Sequence, residues 1–295
     1  MPAGSDRAGG FRERVTWVEC PRDAWQGLRV APRTPDKVRH LRDLLAAGFD
    51  HLDLGSFVSP KAVPQMADTE AVLAALDAPA AADLLCIVGN ARGLERATRA
   101  VGVTSIGYPL AVSDTFQRRN VGTSVTEAWG VVGELLAGAA EAGMGVVVYV
   151  SMAFGNPYGD PWDPEITAAA VARAWAMGAT RVALADTLGG ADAGSIAAVL
   201  KAVDRPHHLG LHLHARPGAW ADKVEAALAQ GVRWFEGALA GVGGCPFAAD
   251  ELVGNLPTEQ VLPWLVDRGF AVAPDLGALS GLARDAARLA GLTVP

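Results

Sequence analysis

Apolar and polar positions follow two rhythms that take turns along the chain. Short runs dense in β-branched and aliphatic residues, such as VVVYV near residue 148, are followed by longer stretches with Ala, Leu and Val at three- and four-residue spacing. The first rhythm is that of a buried strand and the second that of an amphipathic helix. The pattern predicts strands at Val15–Glu19, His51–Leu54, Leu84–Val88, Ser105–Tyr108, Val146–Val150, Arg181–Ala185, Leu209–Leu213 and Arg233–Glu236. It predicts helices near 35–47, 60–76, 91–100, 122–142, 164–177, 192–203, 217–230 and 257–268. Gly48, Gly143, Gly178 and Gly231 fall where a helix would close with a left-handed C-terminal residue. Eight strand–helix pairs in one series predict an α/β fold of the (β/α)8 TIM-barrel class, with an extra C-terminal helical segment at 276–291. The competing architecture, a doubly wound open sheet, would place a glycine-rich dinucleotide loop after its first strand. The stretch there, CPRDAWQG, has no G-x-G-x-x-G.

Composition narrows this further. The chain has 295 residues, 51% of them hydrophobic, enough for one large core. Residues 15–295 are therefore read as one barrel domain, and residues 1–14, polar and glycine-rich, as a disordered N-terminus with no signal-peptide core. The net charge of −7 argues against nucleic acid or an anionic membrane as a partner. No apolar run is long enough to span a bilayer. Cys20, Cys86 and Cys245 are far apart and form no C-x-x-C, which points to a reducing, cytoplasmic setting.

The active site of such a barrel lies at the carboxyl ends of its strands. There the chain places Arg22, Asp23 and Gln26 after the first strand, Asp53 and Ser56 after the second, and Asn90 after the third. FGNPYGD, with Asn156, follows the fifth, and Asp186 and Thr187 the sixth. The seventh ends in LHLHARPGAW. Residues i and i+2 of a strand share a face, so His212 and His214 would aim two imidazoles at one place. A pair of hydrogen-bonded core histidines, or a solvated strand end, would give the same letters. Closure of the barrel makes the first, seventh and eighth strands neighbours. Asp23, His212, His214 and Asn255 could then converge as two nitrogen and two oxygen ligands, a set suited to Mg²⁺ or Mn²⁺ rather than a thiolate zinc site. Arg22 would be a fixed cation beside them. Cys245, in a loop with three nearby glycines, is either a small buried residue or a thiol able to carry a proton.

These residues resemble the 3-hydroxy-3-methylglutaryl-CoA lyase family of the metal-dependent (β/α)8 lyase and synthase superfamily. The matching stretches are VECPRDAWQ, LGSFVSPKAVPQMADTEAVL, SDTFQRRN, YVSMAFGNPYGD, LADTLGG, LHLHARPGAWADKVEAAL and ALAGVGGCPFAADELVGN, which together reach from about residue 15 to 270. The resemblance implies metal ligands at Asp23, His212, His214 and Asn255, and catalytic roles for Arg22, Cys245, Asp186 and Asp53. It also implies substrate positioning by Gln26, Ser56, Asn90 and Thr187, and an acyl-CoA substrate. The expected activity is retro-Claisen cleavage of 3-hydroxy-3-methylglutaryl-CoA to acetyl-CoA and acetoacetate, in a homo-oligomer, a dimer. Arg118, Arg119 and Lys61 could contact the CoA phosphates, although exposed basic residues are more often simply solvated. The chain departs from the family's H-x-H-D-T at Ala215 and Arg216, from PRDGLQ at Ala24 and Trp25, and from FGCPYEG at Asn156. Arg216 would add a cation near the ligands, which suggests a different 3-hydroxyacyl-CoA as the alternative substrate. A condensing synthase and a non-catalytic barrel are the remaining alternatives.

Overall fold

The computed structural model describes residues 13–243 and 253–292. Cys245 and most of its loop, and the N-terminus through residue 12, lie outside the described residues. Eight parallel strands close in chain order: β1 Thr16–Glu19, β2 His51–Ser56, β3 Asp83–Ile87, β4 Ser105–Ala111, β5 Gly145–Ser151, β6 Arg181–Asp186, β7 Leu209–Leu213 and β8 Trp234–Gly237. All eight predicted strands are present. Glu13 and Arg14, placed by the sequence in the tail, are tied to the barrel: Arg14 pairs with Ala271 through the backbone and with Asp50 through its side chain.

Eleven α-helices occur among the described residues: α1 Pro21–Gln26, α2 Thr34–Ala46, α3 Thr69–Ala75, α4 Ala91–Arg99, α5 Asp114–Val121, α6 Val125–Glu141, α7 Pro164–Ala176, α8 Ala193–Ala202, α9 Ala221–Ala229, α10 Thr258–Asp267 and α11 Leu279–Leu289. The differences from the sequence reading have local causes. The helix expected at 60–76 is only α3, because Pro64 opens a separate short 3₁₀ turn. The one expected at 122–142 is preceded by α5, which Ser113 caps and Gly122 ends at φ 83°. Gly48, Gly143, Gly178 and Gly231 all have positive φ, as their C-terminal positions require. The C-terminal α11 packs on α2, where Asp285 meets Arg39 and His40.

Strand register decides which side chains enter the barrel. Val146, Val148 and Val150 face the helices, whereas Val147 and Tyr149 join Leu85, Ile87 and Ala183 in a separate cluster inside. Pairing of Ala185 with His212, and of His212 with Glu236, carries the inward face across β6, β7 and β8. Val18 pairs with Glu236, so Cys20 points inward as well and lies 4.0 Å from the Glu236 carboxylate. The register of β2 against β3 shifts between Asp53 and Gly55. Such an irregularity re-aims side chains. It lets Asp53, opposite Leu85, and Ser56, opposite Ile87, both turn inward although they are three residues apart.

Candidate active site

Six residues of α1, begun at Pro21, place Arg22, Asp23 and Gln26 at the carboxyl end of β1. Periodicity cannot register so short a helix. Arg22 is almost fully buried. Its Nε meets both Asp53 oxygens at 3.1 Å, its Nη2 also pairs with Asp53, and its Nη1 donates to Asp23 Oδ1 at 3.1 Å. Burial opposes its charge, but Asp53 and Asp23 outweigh this and raise Arg22 above its ordinary value. Asp53 does not reach the cavity; it anchors Arg22. Burial, with the nearby Glu236 and Asp23 charges, raises the Asp53 pKa against the pull of Arg22.

Asp23, His212 and His214 each direct a ligand atom into one small volume, all within 4.8 Å of one another. The two histidine Nε2 atoms face each other at 3.1 Å, and His214 Nε2 is 3.9 Å from Asp23 Oδ2. Burial lowers the His214 pKa to about 4, with the charge of His212 adding to the effect, so its imidazole is neutral at physiological pH. Burial works in the same direction on His212, yet the Glu236 hydrogen bond and the Asp23 charge leave it raised. Burial also works against ionised Asp23, but Arg22 and then the two histidines hold it well below the usual carboxylate range.

Asn255 completes the group. An antiparallel bridge joins its backbone to His214. Its amide nitrogen donates to Asp23 Oδ2 and to the Val242 carbonyl, both at 2.8 Å. Among the described residues its Oδ1 is buried with no hydrogen-bond partner. A neutral imidazole, an ionised carboxylate and an orphaned amide oxygen beside a second imidazole fit a divalent cation with nitrogen and oxygen ligands. Gly243, at φ 113°, makes the close approach feasible, since a Cβ there would lie 2.5 Å from Asn255 Nδ2.

The cluster opens on a cavity of about 630 Å³ that runs from Arg22, Asp23, His212 and His214 toward β2, β3 and α5. Gln26, Ser56, Asn90 and Thr187 line it, as the sequence placed them. Gln26 donates to Asp23 Oδ1 at 2.6 Å, Asn90 caps α4 through the Gly93 amide, and Thr187 Oγ1 accepts from the Met152 amide at 2.9 Å.

Other expected residues sit elsewhere. Asp186 is absent from the cavity lining: one oxygen accepts from Lys223 Nζ at 2.8 Å and the other from the Ala191 amide at 3.1 Å, so its contacts are those of a scaffold residue. Arg216 is exposed on the turn before α9 and does not line the cavity, which removes the reason to expect it to select the acyl group. Lys61, Arg118 and Arg119 are exposed and line no part of it; Arg118 pairs with Asp114, and Arg119 lies over the Tyr158 ring. The basic residues on its wall besides Arg22 are Arg92 and Arg96. Asn156 folds its own loop, accepting from the Tyr158 and Asp160 amides at 3.1 Å.

Sequence reasoning missed Glu236. Its Oε2 lies 2.9 Å from His212 Nδ1 and its Oε1 accepts from Tyr149 OH at 3.2 Å. The available signal was an acid at an inward strand position level with His212. Such a carboxylate fixes the ring and makes the other nitrogen a better ligand.

A closed parallel barrel with this cluster at the carboxyl ends of its strands, and a buried arginine beside it, defines the class of (β/α)8 enzymes that work at a metal centre in the barrel mouth. The HMGL-like family model matches residues 14–285, and the chain belongs to that family. It is 34% identical to a hydroxymethylglutaryl-CoA lyase of Pseudomonas mevalonii over 88% of this chain and 87% of that one. It is also 34% identical to a 3-hydroxy-3-isohexenylglutaryl-CoA/hydroxy-methylglutaryl-CoA lyase of Pseudomonas aeruginosa over 90% of each. The crystal structure of hydroxymethylglutaryl-CoA lyase from Pseudomonas aeruginosa superposes with a TM-score of 0.90 at 31% identity, covering 96% of this chain and 95% of that one. The carboxyl transferase domain of Rhizobium etli pyruvate carboxylase, at 16% identity and a TM-score of 0.72, shares the fold.

Proposed function

We propose that this chain is a carbon–carbon lyase that cleaves 3-hydroxy-3-methylglutaryl-CoA to acetyl-CoA and acetoacetate with Mg²⁺ or Mn²⁺ held by Asp23, His212, His214 and Asn255. The observation that carries the reading is the Asn255 Oδ1, buried without a hydrogen-bond partner among the described residues, beside the Asp23, His212 and His214 ligand atoms in a cavity walled by Arg22. Family membership and the lyase relatives support it. A divalent cation there supplies Lewis acidity that lowers the pKa of a hydroxyl and polarises a carbonyl.

The protein's own residues do the rest. His212 has one nitrogen facing Glu236 and the other facing His214, so it serves as a ligand and not as the base. The Asp23 carboxylate, ionised on the cavity wall, is the group left to accept the C3 hydroxyl proton. As that proton leaves, the C2–C3 bond breaks and its electron pair moves to the thioester half, which becomes an enolate. Arg22, held rigid by Asp53, stabilises the enolate oxygen. Cys245 Sγ–H delivers a proton to the enolate carbon, which gives acetyl-CoA; the C3 half leaves as acetoacetate. Arg92 on the cavity wall, and Arg96 there in its pair with Glu70, are the cations that would meet an anionic end of the substrate.

The apolar part of the cavity, with Phe57, Val58, Val63, Ile87 and Phe116, favours a second reading in which a bulkier group than methyl stands on C3. The same functional reading carries the expectations of a homodimer and a cytoplasmic setting. Cys20 and Cys86 are both free thiols, and no helix among the described residues is long and apolar enough to cross a membrane. The test is to incubate the Mg²⁺-loaded protein with 3-hydroxyacyl-CoA esters, including 3-methyl and longer 3-alkyl glutaryl forms, and to assay the cleavage products. Cleavage that EDTA abolishes and Mn²⁺ restores is expected. Full activity after exhaustive chelation, or no cleavage of any ester, would overturn the proposal.

A further inference from the structure

Lys223, on the first turn of α9, is a lysine with only 7% of its surface exposed. An ammonium is rarely buried unless its donors are matched. Here all three have acceptors: Asp186 Oδ2 at 2.8 Å, the Gly189 carbonyl at 2.9 Å and the His214 carbonyl at 2.7 Å. These acceptors come from the end of β6, the turn after it and the end of β7.

The turn is closed at other points too. The Gly189 amide donates to the Asp186 carbonyl at 3.0 Å, and the Ala191 amide to Asp186 Oδ1 at 3.1 Å. Within it, the Thr187 carbonyl lies 3.4 Å from His214 Nδ1. One ammonium therefore fixes the backbone of His214 directly and, through Asp186 and Gly189, the carbonyl that orients its ring. Ala215, the next residue, contributes no polar side chain; its amide donates to the Gly254 carbonyl at 3.0 Å, beside Asn255.

We infer that Lys223 is a positioning residue for the metal centre: it holds the β6 and β7 ends in the register that points His214 Nε2 at the cation. The inference rests on the metal reading of Asp23, His212, His214 and Asn255. Lys223 lines no part of the cavity and is not among the clustered ligand residues. It thereby gives Asp186 its role, as the counter-charge of the clamp and not an acid or base of the reaction.

The test measures Mn²⁺ affinity by calorimetry on metal-stripped protein, together with melting temperature, for wild type, Lys223→Met and Asp186→Asn. Methionine keeps the length and apolar stem of the lysine and loses its donors. Lys223→Met is expected to bind Mn²⁺ about 10- to 100-fold more weakly, the range for losing an outer support of a metal ligand. Asp186→Asn keeps the two carbonyl bonds and is expected to weaken binding by a smaller factor. It should also speed hydrogen exchange at the Gly189 and Ala191 amides. A folded Lys223→Met that melts earlier but binds Mn²⁺ within twofold of wild type would overturn the inference and leave a purely structural lysine. Should Lys223→Met not fold, Asp186→Asn decides: unchanged affinity and unchanged exchange overturn the inference. Wild-type protein that binds no Mn²⁺ would overturn the functional reading itself, and so is distinct from a failure of the clamp alone.

Discussion

A single carboxylate, Glu236, shows how much of this site depends on groups one contact removed from the ligands. It holds His212 Nδ1 and accepts from Tyr149, both in the barrel interior. Glu236→Gln preserves the shape and removes the charge. Calorimetry should find Mn²⁺ binding about tenfold weaker, at the low end for such supports, with little change in melting temperature; an unchanged Kd would show that the carboxylate does not tune His212. Cys245 tests a different role. As the proposed proton donor and not a ligand, its replacement in Cys245→Ala should lower kcat by about 10²–10⁴ while leaving Mn²⁺ affinity intact. Near-normal kcat would return it to packing.

At the scale of the elements, the ligands are set by short segments between regular structure. Asn255 is delivered by its bridge to His214 and by the approach of Gly243. Gly243→Ala would add a methyl 2.5 Å from Asn255 Nδ2 and 3.0 Å from the Asp23 carbonyl, in a backbone conformation that alanine resists. Loss of Mn²⁺ affinity beyond tenfold is expected, with the barrel's circular dichroism retained; wild-type affinity would mean that the segment relaxes freely. The element pattern was legible because strand and helix periods differ. What stayed hidden was α1, whose six residues give no period, and α5, which runs into α6 across Gly122. The inward turn of both Asp53 and Ser56 was also hidden, because it depends on the register shift in β2.

Across the whole molecule, Glu19 joins the first strand to the end of the ring. Its carboxylate accepts from the Leu239 amide at 2.7 Å and from Thr258 Oγ1 at 2.6 Å, linking β1 to the turn after β8 and to α10. Burial pushes its pKa up from 4.5 to about 8, against the pull of the hydrogen bonds from Thr258, Leu239 and Trp17. Between those values the folded chain keeps a proton that the unfolded chain has released. Unfolding then frees a proton, and the Glu19 contribution to stability falls as pH rises, by at most about 1.4 kcal/mol per pH unit, levelling off above pH 8. Urea midpoints of metal-free protein from pH 6.5 to 8 should decline more steeply for wild type than for Glu19→Gln. Parallel curves would show that Glu19 is ionised in the fold throughout.

The sequence by itself determined the eight-fold alternation, the closure into a barrel and the placing of Asp23, His212, His214 and Asn255 at one end. Those features follow from local periods, and from the rule that strand ends of a parallel barrel share a face. His212 and His214 were readable as a pair because two residues along a strand restore the same side. Only the tertiary structure decided that Asp53 serves Arg22, that Glu236 backs His212, that Arg216 is exposed outside the cavity lining, and that Asp186 belongs to Lys223. Each is a contact between residues from 24 to 37 positions apart, or the lack of one. Such contacts depend on register and side-chain direction across strands, which no local pattern encodes. A buried lysine on α9 reads in sequence like any lysine on a solvated helix face until the barrel closes over it.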